Sequence, residues 1–515
     1  MSSKEWLTIF NSAKLIREMK LLCSAAIDRF WSNVLKEIEE RRGVKPVYWI
    51  GSPNPPEIMD GCYVHDVWEA FALEGCVPGW ENKASFFDIS QISRTEYYNY
   101  LKILDRVDSD NRFSFSERDD LFKRHLSYWH YVLKSFEVDL VLFSNAPHMP
   151  YDYPLYLCAK IMGIKTLMFN VSSLRGWHYL TDEVGGSPLP ARNEDFKKDE
   201  TDELYADSID RYLLSNHRQP WYMKHQSDKQ NSFRVKALTI PYIAFLYLFI
   251  VGLKKWFFKR EKEGGSFFWS GKFGSIKFYD GVYVKKTVNI FDFYKMKVKA
   301  ERKKKKLKEE YDKASVLFDP SDIGGYVYFP MHYQPELTTT PLGNESSDQF
   351  YVIRALSRSL PEGYKLVIKE HPSQFSRILF GEQGRHLGCW KLVSDLNNVV
   401  LADISVPSMS LVQNANAVVT ITGTAGWEAM VNGKPCFYFG GAWYQNFPQA
   451  IRVNFSNLES KLVAGLSKGS CNRIVIDDVI GHFGKNAVKS DIHGVLGGSP
   501  TRNSSIAAEY ILRSI

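Results

Sequence analysis

The run VVTITGTAGWEAMVNGKPCFYFG, from Val418 to Gly440, leaves a chain few ways to fold. Ala417 to Ile421 reads as a short buried strand, Gly423, Thr424 and Gly426 as a tight turn, Trp427 to Val431 as a helix, and Pro435 to Phe439 as the next strand. A strand, turn, helix and strand in that order belong in an open α/β sheet. Two glycines and two threonines against a helix start also aim backbone N–H groups and hydroxyls at one spot, where a phosphate or carboxylate is the natural guest. An isolated Gly-rich turn more often serves only its connection, so the neighbouring residues must decide.

Upstream, KLVIKEHPS reads as a strand from Lys365 to Lys369 that delivers Lys369, Glu370 and His371 and is stopped by Pro372. Before it, YVYFPMHYQPE reads as a strand from Tyr326 to Phe329 that ends in His332, Gln334 and Glu336. Glu428 follows the turn, at the start of its helix. Ligands in open α/β sheets bind at the carboxyl ends of the strands, so three strands ending in polar residues point to one cleft.

YFPMHYQPE, KEHP and TITGTAGWEAMVNGKPCFYFG together resemble the bacterial capsule and surface polysaccharide biosynthesis proteins, related to the Kdo-adding capsule glycosyltransferases. The likeness covers Tyr326 to Gly440 and, more weakly, Val138 to Asn170. It implies two doubly wound, Rossmann-like α/β domains of glycosyltransferase-B type, with a nucleotide-sugar donor on the C-terminal domain and an acceptor met by the N-terminal one. The donor-binding set is then Gln334, Lys369, Glu370, His371, Thr422, Gly423, Thr424, Gly426 and Glu428. The Kdo-adding relatives carry an Asp a few residues after the Gln of the first motif. Here Gln334 is followed by Pro335 and Glu336, and Glu336 takes the place of that acid.

A chain of 515 residues, 44% hydrophobic, can fill two cores. Its seven scattered cysteines form no C-x-x-C pair, which speaks for a reducing compartment and against a disulfide framework or a structural metal. Charged residues interrupt the first thirty positions and leave no signal-peptide hydrophobic region. Ala13 to Arg42 has helical apolar spacing, and Lys45 to Ile50 reads as a strand. Asp139 to Phe143, Asp152 to Met162 and Lys165 to Phe169 form a βαβ unit, with His148 and Asp152 at the carboxyl end of its first strand. Asp152 serves there either as a helix cap or as an acceptor-side group.

Ala237 to Leu253 runs seventeen residues without a charge and changes at once to KKWFFKR. As a helix it spans roughly 25 Å, short of the roughly 30 Å hydrocarbon core of a bilayer. A crossing would also separate His148 and Asp152 from the Gly-rich cleft, so the run is expected to lie on a membrane face as a monotopic or re-entrant element, with a buried core helix as the alternative. Phe291 to Lys313 follows as a lysine-rich helix. With no nucleic-acid module and no interleaved aromatics, it fits anionic lipid better than nucleic acid. The expected organisation is an acceptor-side α/β domain (1–235), a membrane-associating insertion (236–315) and a nucleotide-sugar-binding domain (316–515).

The expected function is a membrane-associated glycosyltransferase at the inner face of the cytoplasmic membrane, building a capsular or surface polysaccharide or a lipid-linked glycan. Glu336, Asp152 and His148 are the expected catalytic and acceptor-side groups. No cofactor is expected beyond the nucleotide-sugar substrate, and no obligatory metal, because no Asp-x-Asp pair flanks the cleft. The alternatives are a nucleotide-sugar epimerase, which has no need of the apolar run, and a non-catalytic component of capsule assembly or export.

Overall fold

The structure is a computed structural model that describes residues 18–26, 29–51, 61–85, 87–108, 113–174, 176–191, 243, 246, 250, 267–269, 275–278, 286–376, 379–490 and 500–515. The first half builds a sheet from β1 (Lys20–Ala26), β2 (Lys45–Gly51), β3 (Tyr63–Asp66), β4 (Leu140–Phe143), β5 (Lys165–Val171) and β6 (Trp177–Thr181). Their order across the sheet is β6-β5-β4-β1-β2-β3, parallel from β3 to β5, with β6 antiparallel to β5. Between the halves, β7 (Phe267–Trp269), β8 (Ser275–Phe278) and β9 (Lys286–Asn289) form a small antiparallel sheet, in the stretch whose Phe, Tyr and Gly content reads as extended.

The second half is a parallel sheet in the order β12-β11-β10-β13-β14-β15, from β10 (Tyr326–Pro330), β11 (Lys365–Lys369), β12 (Val399–Leu401), β13 (Ala417–Thr420), β14 (Cys436–Tyr438) and β15 (Ala450–Arg452). Ala417 to Thr420 and Tyr326 to Phe329 are buried at every position, as strands covered by helices on both faces must be. The expectation of two α/β layers is met by these sheets themselves.

The helices that matter to the site are α1 (Arg29–Arg42), α2 (Arg94–Leu104), α3 (Phe115–Ser135), α4 (Asp152–Ile161), α5 (Ile290–Ala314), α6 (Gln349–Ser359), α7 (Ser408–Asn414), α8 (Thr424–Val431), α9 (Leu458–Lys468) and α10 (Pro500–Ser514). Serine caps start two of them: Ser93 and Ser114 each accept from the third helical N–H while Glu96 and Glu117 reach back. α3 then buries Leu121, Phe122, Trp129 and Leu133 under the first sheet.

The helix expected from Ala13 to Arg42 begins only at Arg29. Leu21, Leu22, Cys23 and Ser24 form instead the central strand β1, paired with both β2 and β4. A continuous apolar run fits a doubly covered strand and a buried helix equally well, and the pairing partners on either side decide for the strand. The chain also returns to its first domain: β16 (Val488–Lys489) pairs antiparallel with β6, and α10 packs on α1. The boundary expected at 316–515 therefore takes in a terminal segment that completes the first sheet.

The apolar run 237–253 lies outside the described residues except Ile243, Leu246 and Ile250, which are helical and exposed. Among the described residues no helix is long and apolar enough to cross a membrane. In α5, Leu307 and Tyr311 enter the core of the second domain, and Lys304 is buried 3.4 Å from Glu382. Lys303 to Lys306 therefore do not act as one solvated block. The exposed cations Lys295, Lys299, Arg302 and Lys306 instead follow one face at helical spacing.

Candidate functional site

At the carboxyl end of β13 the chain passes Ile421 and Thr422 and enters α8 at Gly423, whose helix start carries no side-chain cap. A Cβ on Gly423 would lie 2.9 Å from both His332 Nε2 and Thr420 Oγ1, so the glycine is required by close approach rather than by an unusual φ. Gly423 N–H donates to Thr420 Oγ1 (3.0 Å), and Tyr444 Oη donates to the Gly423 carbonyl (2.6 Å). Gly426 has a different reason to be glycine. Its Cβ would stand 2.2 Å from Tyr444 Oη and 2.7 Å from Cys436 Sγ, so it packs α8 against β14 and is buried. Thr422 Oγ1 donates to the Thr338 carbonyl (2.8 Å), tying the turn to the loop after β10. Of the expected turn contacts, Thr422 and Gly426 therefore serve the scaffold, while Gly423 and Thr424 stand half-exposed at the helix start.

β11 brings Lys369, Glu370 and His371 to the same edge, and the three differ sharply. The Lys369 ammonium donates to the Val406 carbonyl (2.5 Å) and Ser408 Oγ (3.0 Å), leaving the third N–H of an ammonium for a ligand. Burial lowers its pKa to about 8, and it keeps most of its charge at neutral pH. Glu370 is consumed by Arg385: Nε to Oε2 is 2.7 Å, Nη2 to Oε1 is 2.9 Å, and both side chains have 0% exposure. Arg385 also donates to Gln334 Oε1 (2.8 Å) and the His332 carbonyl (3.0 Å), while Gln334 Nε2 donates to the Ser347 carbonyl (2.8 Å). Glu370 and Gln334 are thus placed in a buried brace instead of at a ligand surface.

His371 Nδ1 accepts from the Ser373 N–H (3.2 Å), which puts its proton on Nε2. Burial, with Arg385 and Lys369 nearby, lowers its pKa to about 4, so it is a neutral donor at physiological pH. His332 is absent from the expected set but central in the structure. Its Nε2 accepts from the Thr422 N–H (3.3 Å), its buried Nδ1 has no partner among the described residues, and burial lowers its pKa to about 3. A histidine just past a fully apolar strand was the available signal.

The carboxylate of Glu428, one turn into α8, has no hydrogen bond or ion pair among the described residues, although the Glu428 carbonyl accepts from Asn432 Nδ2 (2.8 Å). Burial raises its pKa to about 7. The Tyr328 hydroxyl contacts Ser408, which also receives Lys369, and the Tyr328 ring lies close enough to feel the Glu428 carboxylate. Glu428, and Lys369 through Ser408, therefore both lie near Tyr328.

Glu336 lies on the loop after β10, exposed at the seam between the domains, with Thr338 Oγ1 donating to it (2.9 Å). Surrounding protein raises its pKa, partly offset by Thr338 and Arg106. Asp152 stands on the other side, but its Oδ1 accepts from the Met149 N–H (2.6 Å) and it is 2% exposed. Desolvation raises its pKa to about 8. It closes the loop 148–152 from the first position of α4, whose start carries no side-chain cap, so its contact is not the helix cap that was expected. His148 Nδ1 donates to the Ala146 carbonyl (2.6 Å), which fixes the tautomer with a bare Nε2, and burial lowers its pKa to about 4. Arg106, which sequence reasoning passed over, joins the halves: it donates to the His148 carbonyl (2.8 Å) and to the Thr340 carbonyl. Its charge lies near both Glu336 and Asp152. Among the described residues no cluster of three or more His, Cys, Asp or Glu is placed to hold a metal.

No curated protein matches the chain significantly by sequence. Solved structures that align with it include two from Thermosulfurimonas dismutans. The KpsC β-Kdo 2,4 transferase aligns at 14% identity and TM-score 0.22 over 36% of this chain and 54% of that one. The KpsC β-Kdo 2,7 transferase aligns at 8% identity and TM-score 0.26 over 78% and 97%. The UDP-GlcNAc 2-epimerase of Methanocaldococcus jannaschii aligns at 10% and 0.22 over 96% and 99%. This chain thus spans about half the length of the first of these, and at such scores none assigns a chemistry to it. Residues 339–447, which carry Lys369, His371, the turn and Glu428, match the family described as capsule polysaccharide biosynthesis protein, and over that segment the resemblance read from the sequence holds.

Proposed function

We propose that the chain is a glycosyltransferase that moves a sugar from a nucleotide-sugar donor to a growing capsular or surface polysaccharide or a lipid-linked acceptor. The observation that carries this reading is the approach, near Tyr328, of the Lys369 ammonium and the Glu428 carboxylate, which has no partner among the described residues, on a helix whose start carries no side-chain cap. A nucleotide sugar offers what that set lacks: hydroxyls for Glu428 and phosphate oxygens for Lys369, His371 and the α8 N–H groups. In the reaction the acceptor hydroxyl oxygen bonds to the anomeric carbon as the bond from that carbon to the phosphate oxygen breaks. The electron pair leaves with the nucleotide, whose developing charge Lys369 and the Nε2–H of His371 stabilise. The acceptor proton passes to a base, for which Glu336 has the position, exposed at the seam and raised in pKa.

Membrane contact is part of the proposal. It is supported by the cationic face of α5 and by Ile243, Leu246 and Ile250, exposed at helical spacing in the apolar run. No metal takes part in this scheme, and turnover should persist in excess chelator.

Titration calorimetry with nucleotide sugars tests the site. Lys369→Ala and His371→Ala should each weaken donor binding by roughly 1.5–3 kcal/mol if they bond to phosphate, and Glu428→Gln should weaken it as well. Unchanged affinity in all three removes this cleft from the function.

A further inference from the structure

A second cleft, of about 830 Å³, opens between the domains beside the donor turn and contains none of the expected site residues. That volume falls within the roughly 300–1,000 Å³ usual for small-molecule sites. Its floor is the carboxyl ends of β14 and β15, and its opposite wall is the flank of α4 with the start of α2. The domains pinch together at one margin, where Gln445 Nε2 donates to the Gly186 carbonyl (2.5 Å) and a Cβ on Gly441 would stand 2.2 Å from Gly185 Cα.

The lining is polar and only partly self-satisfied. Asn99 is 1% exposed, and although its Nδ2 donates to Asn344 Oδ1 (3.2 Å) and its side chain also bonds to the Tyr153 hydroxyl, its own Oδ1 has no partner among the described residues. At the other end stand two cations. Among the described residues Lys461 Nζ donates only to the Arg452 carbonyl (2.5 Å), and neither its ammonium nor the exposed Arg452 guanidinium has a carboxylate within 4.0 Å. Both lie where β15 turns into α9, whose N-cap Asn457 makes no side-chain cap bond. The acids lining the cleft are placed differently. Glu96 accepts from the Ser93 N–H (2.8 Å), and Glu183 and Glu345 lie exposed. Carboxylates and amides beside tyrosines accept and donate to sugar hydroxyls, and two unpaired cations at one end demand a negative charge there.

We infer that this cleft binds an acidic glycan, with a carboxylate or phosphate on Arg452 and Lys461 and sugar hydroxyls on Asn99 and Asn344. The inference rests on the glycosyltransferase reading and gives its acceptor a chemical class. The two sources of negative charge, a sugar acid within the glycan and the phosphate of a lipid-linked sugar, share these contacts.

The test is calorimetric titration of the full chain with a short oligogalacturonate, with maltotetraose as a neutral glycan, with glucose 1-phosphate and with inorganic phosphate. The acidic sugars should bind more tightly than maltotetraose. Arg452→Glu with Lys461→Glu should weaken the acidic sugars at least about tenfold while leaving nucleotide-sugar affinity and melting temperature unchanged. Asn99→Leu should weaken the oligogalacturonate, with folding checked by circular dichroism. A lead for oligogalacturonate over glucose 1-phosphate identifies the sugar acid as the source, and the reverse identifies the phosphate. Equal binding of neutral and acidic glycans, unchanged binding in the double reversal, or inorganic phosphate matching the sugars would overturn the inference. Because donor affinity is read alongside, absence of nucleotide-sugar binding in wild type would instead point to failure of the glycosyltransferase reading.

Discussion

Removing Glu370 should cost stability rather than donor binding, and the cost follows from its surroundings. Its two oxygens hold the Arg385 guanidinium at 2.7 and 2.9 Å, and Oε1 also accepts from the His371 N–H (2.7 Å). Glu370→Ala strands Arg385 among three neutral acceptors: Gln334 Oε1, the Gly384 carbonyl and the His332 carbonyl. At 0% exposure on both sides no solvent screens the loss, and breaking such a pair costs about 3–5 kcal/mol. At roughly 2–4 °C per kcal/mol for a domain of this size, the melting temperature should fall by roughly 6–20 °C. Replacing both partners, Glu370→Leu with Arg385→Met, should recover much of it, since an apolar pair carries no desolvation cost. Scanning calorimetry gives the melting temperature, and donor titration well below it gives the affinity. An unchanged melting temperature with lost donor affinity in Glu370→Ala would refute the brace and return Glu370 to the ligand.

Asp152 has a folded pKa of about 8, above its unfolded value, so the folded state binds the extra proton and stability is lost as pH rises from about 4 to 8. Asp152→Asn should therefore match wild type in melting temperature near pH 4 and exceed it near pH 8, with equal gaps at both pH values arguing against a buried, proton-binding carboxyl. Gly426→Ala drives a methyl toward Tyr444 Oη and Cys436 Sγ and should cost about 1–3 kcal/mol by overpacking in chemical denaturation, where a neutral result would mean the turn is looser than its packing implies. Lys299→Glu, Arg302→Glu and Lys306→Glu together should weaken flotation with anionic vesicles by about 1 kcal/mol per residue and leave neutral vesicles unaffected, whereas equal loss on both would remove the electrostatic contact.

Most of the second sheet was legible because β10, β11, β13 and β14 are short, apolar and closed by Gly, Pro or a polar cluster, as KLVIKEHPS shows, whereas the edge strand β15, AIR with an exposed arginine, carries no such run. The site was legible as a place, since the carboxyl ends of β10, β11 and β13 do meet, but less so in its division of labour. Nothing local to Glu370 marks it as a brace, because its partner Arg385 lies fifteen residues on, in a segment without periodicity. Gly423 and Gly426 look alike in sequence and differ only in what crowds them, His332 in one case and Tyr444 in the other. Arg106 joins residues far apart in the chain, and the return of β16 to the first sheet depends on a pairing partner, β6, more than three hundred residues earlier. Such long-range pairings leave no pattern in either segment alone.

The most direct test of glycosyl transfer follows the nucleotide. Purified protein is incubated with candidate nucleotide sugars, with and without a lipid-linked or acidic glycan acceptor, and released nucleotide and sugar identity are both read. Acceptor-dependent nucleotide release with the donor sugar unaltered, depressed roughly 10²–10⁴-fold in Glu336→Gln at near-normal donor affinity, is the expected result. A donor sugar converted to its epimer without any acceptor, or donor binding with no release under any acceptor, would contradict it.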